Sequence, residues 1–312
     1  MRVFLGSSLF GFYTTALMLT ACNGSQSPIG VPGAMPQSSA IATHAAHGKS
    51  WMLPDAKNKK LLYVSDNYSD DVYVFSYPVA RQVGTLTGFQ ASPRGLCVDL
   101  SGNVFITDQA AIVEYAHGGT EPVRTLTDME IPIACAVDPT TGNLAAANEE
   151  NGSISVYPNA TGEPSIFSVP FVPLFCAYDD SGNLFADSSG APAIPIAKLP
   201  KGGNAFESVA YDERNNGEPA GLQWVGERLE VGSASPYDGG CCGRIYHFVI
   251  NGTHGRRAGR TLVRGALDDF FIDGSTAIVA TNTDRVALYD YPAAGMQRRS
   301  SKSPVMGHTV LS

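Results

Sequence analysis

The sequence has few basic residues, and this shortage excludes one class of partner. Its 312 residues include 21 lysines and arginines against 29 aspartates and glutamates, which gives a formal net charge of −8 at pH 7. A protein that binds nucleic acid needs a basic surface to neutralise phosphates. We therefore predict that nucleic acid is not a partner of this chain.

Several motifs that signal catalysis are also missing. The sequence has no G-x-S-x-G turn, no H-E-x-x-H helix and no glycine-rich phosphate loop. Its cysteines lack the paired Cys or His spacing of a zinc site. No segment after residue 22 approaches the ~18 apolar residues that a membrane helix needs. These absences favour a non-catalytic protein and leave an unusual enzyme as the alternative.

The first residues favour export. Met1 and Arg2 form a minimal positive segment, and residues 3–19 carry no charge before the sequence LTAC at 19–22. A short apolar run that ends at small residues is typical of a signal peptide. LTAC resembles the lipobox of bacterial lipoproteins, in which the cysteine receives diacylglycerol and becomes the N-terminus. The resemblance implies lipidation of Cys22 and anchoring to the bacterial cell envelope, at the outer membrane, in the periplasm or on the cell surface. An ordinary signal peptide containing a cysteine is the alternative.

A low-complexity segment follows the predicted signal peptide of residues 1–22. Residues 23–49 are rich in Ser, Ala, Gly and Pro and carry almost no charge. Such a composition buries too little apolar surface to fold, so it predicts a flexible tether. The tether would hold a folded domain, residues 50–312, away from the membrane.

One strand-turn-strand phrase occurs three times in that domain. VDLSGNVFITD at 98–108 returns as VDPTTGNLAAAN at 137–148 and as YDDSGNLFADS at 178–188. The aspartates that precede the Gly-Asn turns, Asp99, Asp138 and Asp179, are 39 and 41 residues apart. Two further β-rich runs follow each phrase, and 33 glycines and 20 prolines supply turns. The period therefore predicts units of four short strands.

Repeats of about 40 residues with four strands each are typical of a β-propeller. We predict an all-β fold with six four-stranded blades, and seven blades as the alternative. Residues 51–67 are expected to supply the first two strands of blade one. The C-terminal tail is expected either to pair with blade one and close the ring or to fray.

The repeated phrase resembles the NHL-type repeat and the related gluconolactonase-like propellers, over residues 50 to 292. The second resemblance implies a cation held by oxygen atoms at the channel mouth, calcium being one such ion, and a metal-dependent lactonase-like hydrolase. The candidate ligands end the second strands of their blades: Asp66, Asp108, Asn148, Asp187 and Asn282. The alternative, which needs no cofactor, is that these side chains bond backbone amides in the adjacent turns.

The remaining cysteines form two groups. Cys97, Cys135 and Cys176 lie on predicted innermost strands, and we expect them to be small buried hydrophobic residues. A Cys135–Cys176 disulfide is conceivable, but equivalent points on adjacent blades are usually too far apart. Cys241 and Cys242 are adjacent within a glycine-rich loop, which permits a vicinal disulfide; two free thiols or separate partners are the alternatives.

One basic stretch interrupts this acidic chain. THGRRAGR, with Arg256, Arg257 and Arg260, is expected to form a solvated loop, and an anionic glycan or lipid headgroup is the functional alternative. Taken together, the sequence predicts a lipid-anchored propeller that binds an envelope protein or a small molecule, with the hydrolase as the competing hypothesis.

Overall fold

The structure is a computed structural model, and it is almost entirely β. It describes residues 48–66, 68–128, 130–190, 192–211, 218–234, 242–281 and 285–292, and the backbone of residues 297–302 and 309–311. The chain divides into two compact units, Met1–Ala40 and Ile41–Ser312, and all described residues belong to the second. No helix among the described residues is long and apolar enough to cross a membrane.

Six antiparallel sheets succeed one another along the chain as the blades of a propeller. Blades one to three use the strands β1 (Trp51–Met52), β2 (Leu61–Asp66), β3 (Asp71–Ser76), β4 (Arg81–Leu86), β5 (Pro93–Val98), β6 (Val104–Asp108), β7 (Ala111–Tyr115), β8 (Pro122–Thr127), β9 (Pro132–Val137), β10 (Leu144–Asn148), β11 (Ser153–Tyr157) and β12 (Ser165–Ser168). The predicted six-bladed fold is confirmed.

Blades four to six and the closing strand complete the ring. Their strands are β13 (Phe175–Tyr178), β14 (Leu184–Asp187), β15 (Ile196–Leu199), β16 (Glu207–Ser208), β17 (Ala210–Tyr211), β18 (Pro219–Val225), β19 (Arg228–Ser233), β20 (Cys242–Asn251), β21 (His254–Arg264), β22 (Leu267–Asp273), β23 (Thr276–Thr281), β24 (Arg285–Asp290), β25 (Gln297–Lys302) and β26 (Thr309–Leu311). Blade five gains a fifth strand because β17 adds to β21 in parallel.

Blade one is closed by the C-terminus. β26 pairs with the inner edge of β2, with Val64 opposite Leu311 and Asp66 opposite Thr309. β1 pairs instead with the outer strand β4, where Trp51 lies opposite Thr85. The expectation that residues 51–67 supply the first two strands of this blade is therefore wrong, since the innermost position belongs to the far end of the chain. Of the two expectations for the tail, pairing is confirmed.

The repeated phrase forms the turn between the first and second strands, and its aspartate organises it. Asp99 Oδ1 accepts the amide protons of Ser101 and Asn103, both at 2.8 Å, and Oδ2 accepts the Asn103 side chain. Asp179 makes the same three bonds in blade four. Gly102 has φ +84°, a left-handed conformation that glycine adopts without strain. The phrase recurs because blades two, three and four join their first and second strands by an aspartate-anchored turn.

The core lies between blades. Apolar side chains of neighbouring sheets interleave, as Phe105 and Tyr157 do between blades two and three. Close approach of the innermost strands needs small residues. A Cβ at Gly95 in β5 would lie 2.4 Å from Cα of Ala134 in β9, so only glycine fits there.

The arginine-rich stretch is a strand rather than a loop. Arg256, Arg257 and Arg260 lie in β21, which pairs with β20 along its whole length. The predicted solvated loop is therefore wrong. Its two glycines do not break the strand, because a ladder of backbone hydrogen bonds to β20 continues past both of them.

Candidate functional site

The innermost strands surround a narrow central channel. It contains a cavity of about 200 Å³ lined by residues from five blades: 95–98, 134–137, 175–178, 222–224 and 269–271. Sites for drug-sized ligands usually measure about 300–1,000 Å³. The channel therefore suits water or a few-atom solute better than a larger molecule.

The second strands end at one face of the ring, which we call the upper face, marked by Asp66, Asp108, Asn148 and Asp187. The carboxylates of Asp66 and Asp108 hold neighbouring loops in place. Asp66 Oδ1 accepts the Tyr68 amide proton at 2.9 Å, and Oδ2 accepts the Ser69 hydroxyl at 3.0 Å. Asp66 therefore bonds the turn that follows it.

Asp108 in blade two is used in the same way. Its two oxygens accept the amide protons of Gln90 and Ala91 at 2.6 and 2.8 Å. Only 3% of the residue is exposed. The carboxylate thus ties the end of the second strand to the segment that enters the blade, which is an architectural role.

The next three blades differ, because each leaves an oxygen without a partner at this position. Asn148 donates to the hydroxyls of Ser153 and Ser155 at 3.1 and 2.9 Å, but its Oδ1 has no hydrogen-bond partner among the described residues. Asp187 Oδ2 and Ser233 Oγ are likewise buried without a partner there. Unpaired buried polar atoms are rare, so this part of the upper face is chemically distinct.

Asp187 has the most perturbed environment of the predicted residues. It is fully buried, and its Oδ1 accepts the Phe175 amide proton at 3.1 Å. Burial raises the pKa of this carboxyl well above its usual range, and the nearby charge of Asp269 acts in the same direction. Asp269 lines the channel. The carboxyl of Asp187 is therefore protonated more readily than that of an exposed aspartate.

Some predicted residues lie outside the described part of the chain. They are the lipidation residue Cys22, the channel-mouth candidate Asn282 and Cys241 of the vicinal pair. Cys242 begins β20, and its disulfide with Cys241 stays a prediction. Across the part that is described, no three His, Cys, Asp or Glu side chains meet as a metal site.

A disulfide joins Cys97 to Cys135, with Cα atoms 5.6 Å apart. The prediction that both are unpaired small hydrophobic residues is therefore wrong. Cys97 lies two residues before Asp99, whereas Cys135 lies three before Asp138. This offset of one residue brings together side chains of adjacent innermost strands that equivalent positions would keep apart. Cys176 is the buried thiol that was expected, and burial raises its pKa to about 12.

A buried polar network between blades five and six was not predicted from the sequence. The imidazole of His247 contacts Glu230 through Nδ1 and Thr261 through Nε2, the latter at 3.1 Å. The Tyr291 hydroxyl donates to Glu230 Oε1 at 2.7 Å. An acid, an imidazole and a hydroxyl in this order resemble a nucleophilic triad. Glu230 and Thr261 are fully buried, however, so no substrate reaches them and the network joins the two blades.

One sequence signal was available for this network. Glu230 stands between the apolar residues Leu229 and Val231 in a strand that continues with Gly232 and Ser233. A charged residue in such a strand is almost never buried without a partner. His247 lies on the next strand, and nothing in the sequence linked it to Glu230.

The fold is common among solved structures, of which 1278 chains match. One match, titled "Crystal structure of Nidogen/Laminin Complex", has a TM-score of 0.64 and 16% identity, and covers 80% of this chain and 97% of that one. Another, the hydrazine synthase of Kuenenia stuttgartiensis, has a TM-score of 0.59 and 11% identity, and covers 82% and 80%. At these identities the likeness shows the fold alone. No family model matches the sequence, and no curated protein matches it.

Proposed function

We propose that this chain is an exported, lipid-anchored propeller of the cell envelope that acts as a non-catalytic scaffold for a protein partner. The Cys97–Cys135 disulfide supports export, because disulfides persist in oxidising compartments. Lipidation of Cys22 would then hold the ring at a membrane through the segment 23–49.

The observation that carries this proposal is that two of the upper-face carboxylates make hydrogen bonds within the ring. Asp66 and Asp108 spend both oxygens on hydrogen bonds to neighbouring loops, so they support the ring itself. The channel cavity of about 200 Å³ is also smaller than the usual site for a drug-sized ligand. Recognition would therefore take place on outer surfaces, where loops carry large exposed apolar side chains such as Tyr68, 65% exposed, and Leu100, 86% exposed.

The likeness to a chain of a nidogen/laminin complex supports the same proposal, since that propeller is part of a protein assembly by its title. The competing hypothesis, a cation-dependent lactonase-like hydrolase, requires an acid, an amide and a second acid within about 2.3–2.6 Å of one ion. Asp66 and Asp108 are engaged elsewhere, so we do not propose it.

Site-specific photocrosslinking in the native cells tests the scaffold. A photoreactive amino acid replaces Tyr68 on the upper face or Leu100 on the opposite face, and Thr125 on the outer strand β8 serves as the exposed polar control. We expect one face to give a single, reproducible protein adduct that the control position does not give.

Two results would contradict the proposal. One is the absence of a specific adduct from either face. The other is lactone hydrolysis by the purified segment 41–312 that is lost on Asp66→Asn or Asp108→Asn, because that result would make these carboxylates catalytic.

A further inference from the structure

The outer strands of blades five and six concentrate positive charge. β21 reads HGRRAGRTLVR and β25 reads QRRSSK, so together they contain seven basic residues and no acidic residue. The whole chain has 21 basic residues and a net charge of −8. We call these two strands the basic rim.

Among the described residues, the outer edge of β21 is unpaired over most of its length. There, β17 pairs only with His254 and Gly255. Beyond that point the exposed residues of the strand are Arg256, Arg257, Ala258, Arg260 and Arg264. A strand of 11 residues extends about 35 Å at the usual rise per residue. Within the described part of the chain, β21 therefore presents a long, accessible edge.

The register places three of these arginines on one face of blade five. Arg257, Arg260 and Arg264 lie opposite Phe248, Tyr246 and Cys242, and the bulge between His247 and Phe248 keeps Arg257 on the same face as the other two. Antiparallel partners share a face of the sheet. The arginines therefore form a row rather than alternating between the faces.

Arg244 joins this row from the neighbouring strand. It lies opposite Leu262, between the levels of Arg260 and Arg264, and its Nε is buried without a hydrogen-bond partner among the described residues. Within the same residues, no acidic side chain pairs with Arg256, Arg260 or Arg264. Like charges placed side by side are destabilising, so an anion would relieve the repulsion.

The other outer strands do not share this charge. β8, β12 and β16, on blades two to four, contain one basic residue, Arg124, and one acidic residue, Glu207. Among the outer strands of blades two to six, basic charge is thus concentrated in β21 and β25. That asymmetry sets how the ring would turn toward a charged surface.

We propose that the basic rim binds the phosphate headgroups of an anionic membrane surface. Guanidinium groups bind phosphate through paired hydrogen bonds. A protein interface has an apolar or aromatic centre, whereas the exposed side chains of β21 are those of arginine, histidine and alanine. A flat layer of phosphates therefore fits this edge better than a protein does.

This inference deepens the proposed function and rests on it for one point, the presence of a membrane nearby. A flexible tether of the length of residues 23–49 has a root-mean-square span of roughly 30 Å. An anchor at Cys22 would therefore keep the rim within reach of the bilayer. The rim would fix the orientation of the ring and leave its two faces free for a partner.

Vesicle sedimentation tests the rim without the anchor. The purified segment 41–312, which contains all six blades and lacks Cys22, is mixed with vesicles of phosphatidylcholine alone or with roughly a third of phosphatidylglycerol. We expect binding only to the anionic vesicles, and its loss at high salt. Because this segment lacks Cys22, a lack of binding to anionic vesicles would refute membrane binding by the basic rim without bearing on the proposed lipid anchor.

The decisive variant removes the row itself and combines Arg257→Gln, Arg260→Gln and Arg264→Gln. At about fivefold per basic residue near an anionic surface, we expect its binding to weaken by about a hundredfold. All three side chains are exposed, so the thermal midpoint should stay at the wild-type value and show that the variant folds.

A matched variant removes the same charge elsewhere. Lys57→Gln, Arg81→Gln and Lys201→Gln lie on blades one and four, are exposed, and should leave binding within about twofold. Equal losses in the two variants would overturn the proposal, as would binding to neutral vesicles. Binding of soluble polyphosphate without binding of vesicles would also overturn it, in favour of a free phosphate polymer.

Discussion

Removal of the Cys97–Cys135 disulfide should destabilise the ring strongly. The bond joins the innermost strands of blades two and three across a sequence separation of 38 residues. Closing a loop of that length lowers the entropy of the unfolded chain, which corresponds to about 4 kcal/mol at 25 °C. Folded domains have a net stability of about 5–15 kcal/mol. The double variant Cys97→Ala with Cys135→Ala should therefore lose a large share of the stability.

Urea unfolding followed by intrinsic fluorescence measures this loss. We expect the midpoint of the double variant to fall well below that of the wild type, and reductant to bring the wild type toward it. Cys176→Ala is the matched control, because it removes a buried thiol of the same ring that is not bridged. That variant should lose about 1 kcal/mol for its buried sulfur and keep its response to reductant.

Two results would refute the reasoning. Alkylation of the native protein that labels Cys97 and Cys135 would show that the bond does not form. A double variant with the wild-type urea midpoint would show that the cross-link does not limit the unfolded chain.

Three further predictions follow from single contacts. The raised pKa of Asp187 means that the folded chain keeps a proton that the unfolded chain releases above about pH 4, so stability should fall as pH rises from there. In the Asp187→Asn variant the thermal midpoint should fall less with rising pH than in the wild type. The same pH dependence in both proteins would exclude this contribution of Asp187. Tyr291→Phe removes the 2.7 Å bond to the buried carboxylate of Glu230 and should cost about 1.5–3 kcal/mol in urea unfolding; an unchanged midpoint would count against the network. Ala136 holds the place in blade three that Cys97 holds in blade two, so a cysteine in the Ala136→Cys variant should form a disulfide with Cys176. Non-reducing peptide mapping would detect this bond. Two free thiols would contradict the repeat geometry.

The blades could be predicted from the sequence because their signal is local. Asp99, Gly102 and Asn103 make a turn whose hydrogen bonds lie within five residues, so the same letters must return wherever the turn returns. Closure by β26 could only be offered as one of two alternatives. It pairs residues more than 240 positions apart, and no local pattern specifies such a pairing.

The errors have the same origin. Cys97 and Cys135 are offset by one residue in the repeat, and an alignment of the repeats does not show that residues at such an offset are in contact. Arg256 and Arg257 were expected in a loop, but backbone pairing with β20, which a local reading does not show, places them in a strand. Glu230 and His247 meet across two strands, and the sequence shows their charge but not their pairing.

Intact mass spectrometry of the protein isolated from membranes of its native cells tests the anchored propeller most directly. We predict a mature N-terminus at Cys22 that carries lipid, and a mass that rises by two hydrogens when reductant opens the Cys97–Cys135 bond. An unmodified N-terminus produced by cleavage elsewhere would contradict anchoring, and a mass unchanged by reductant would contradict the oxidised, exported ring.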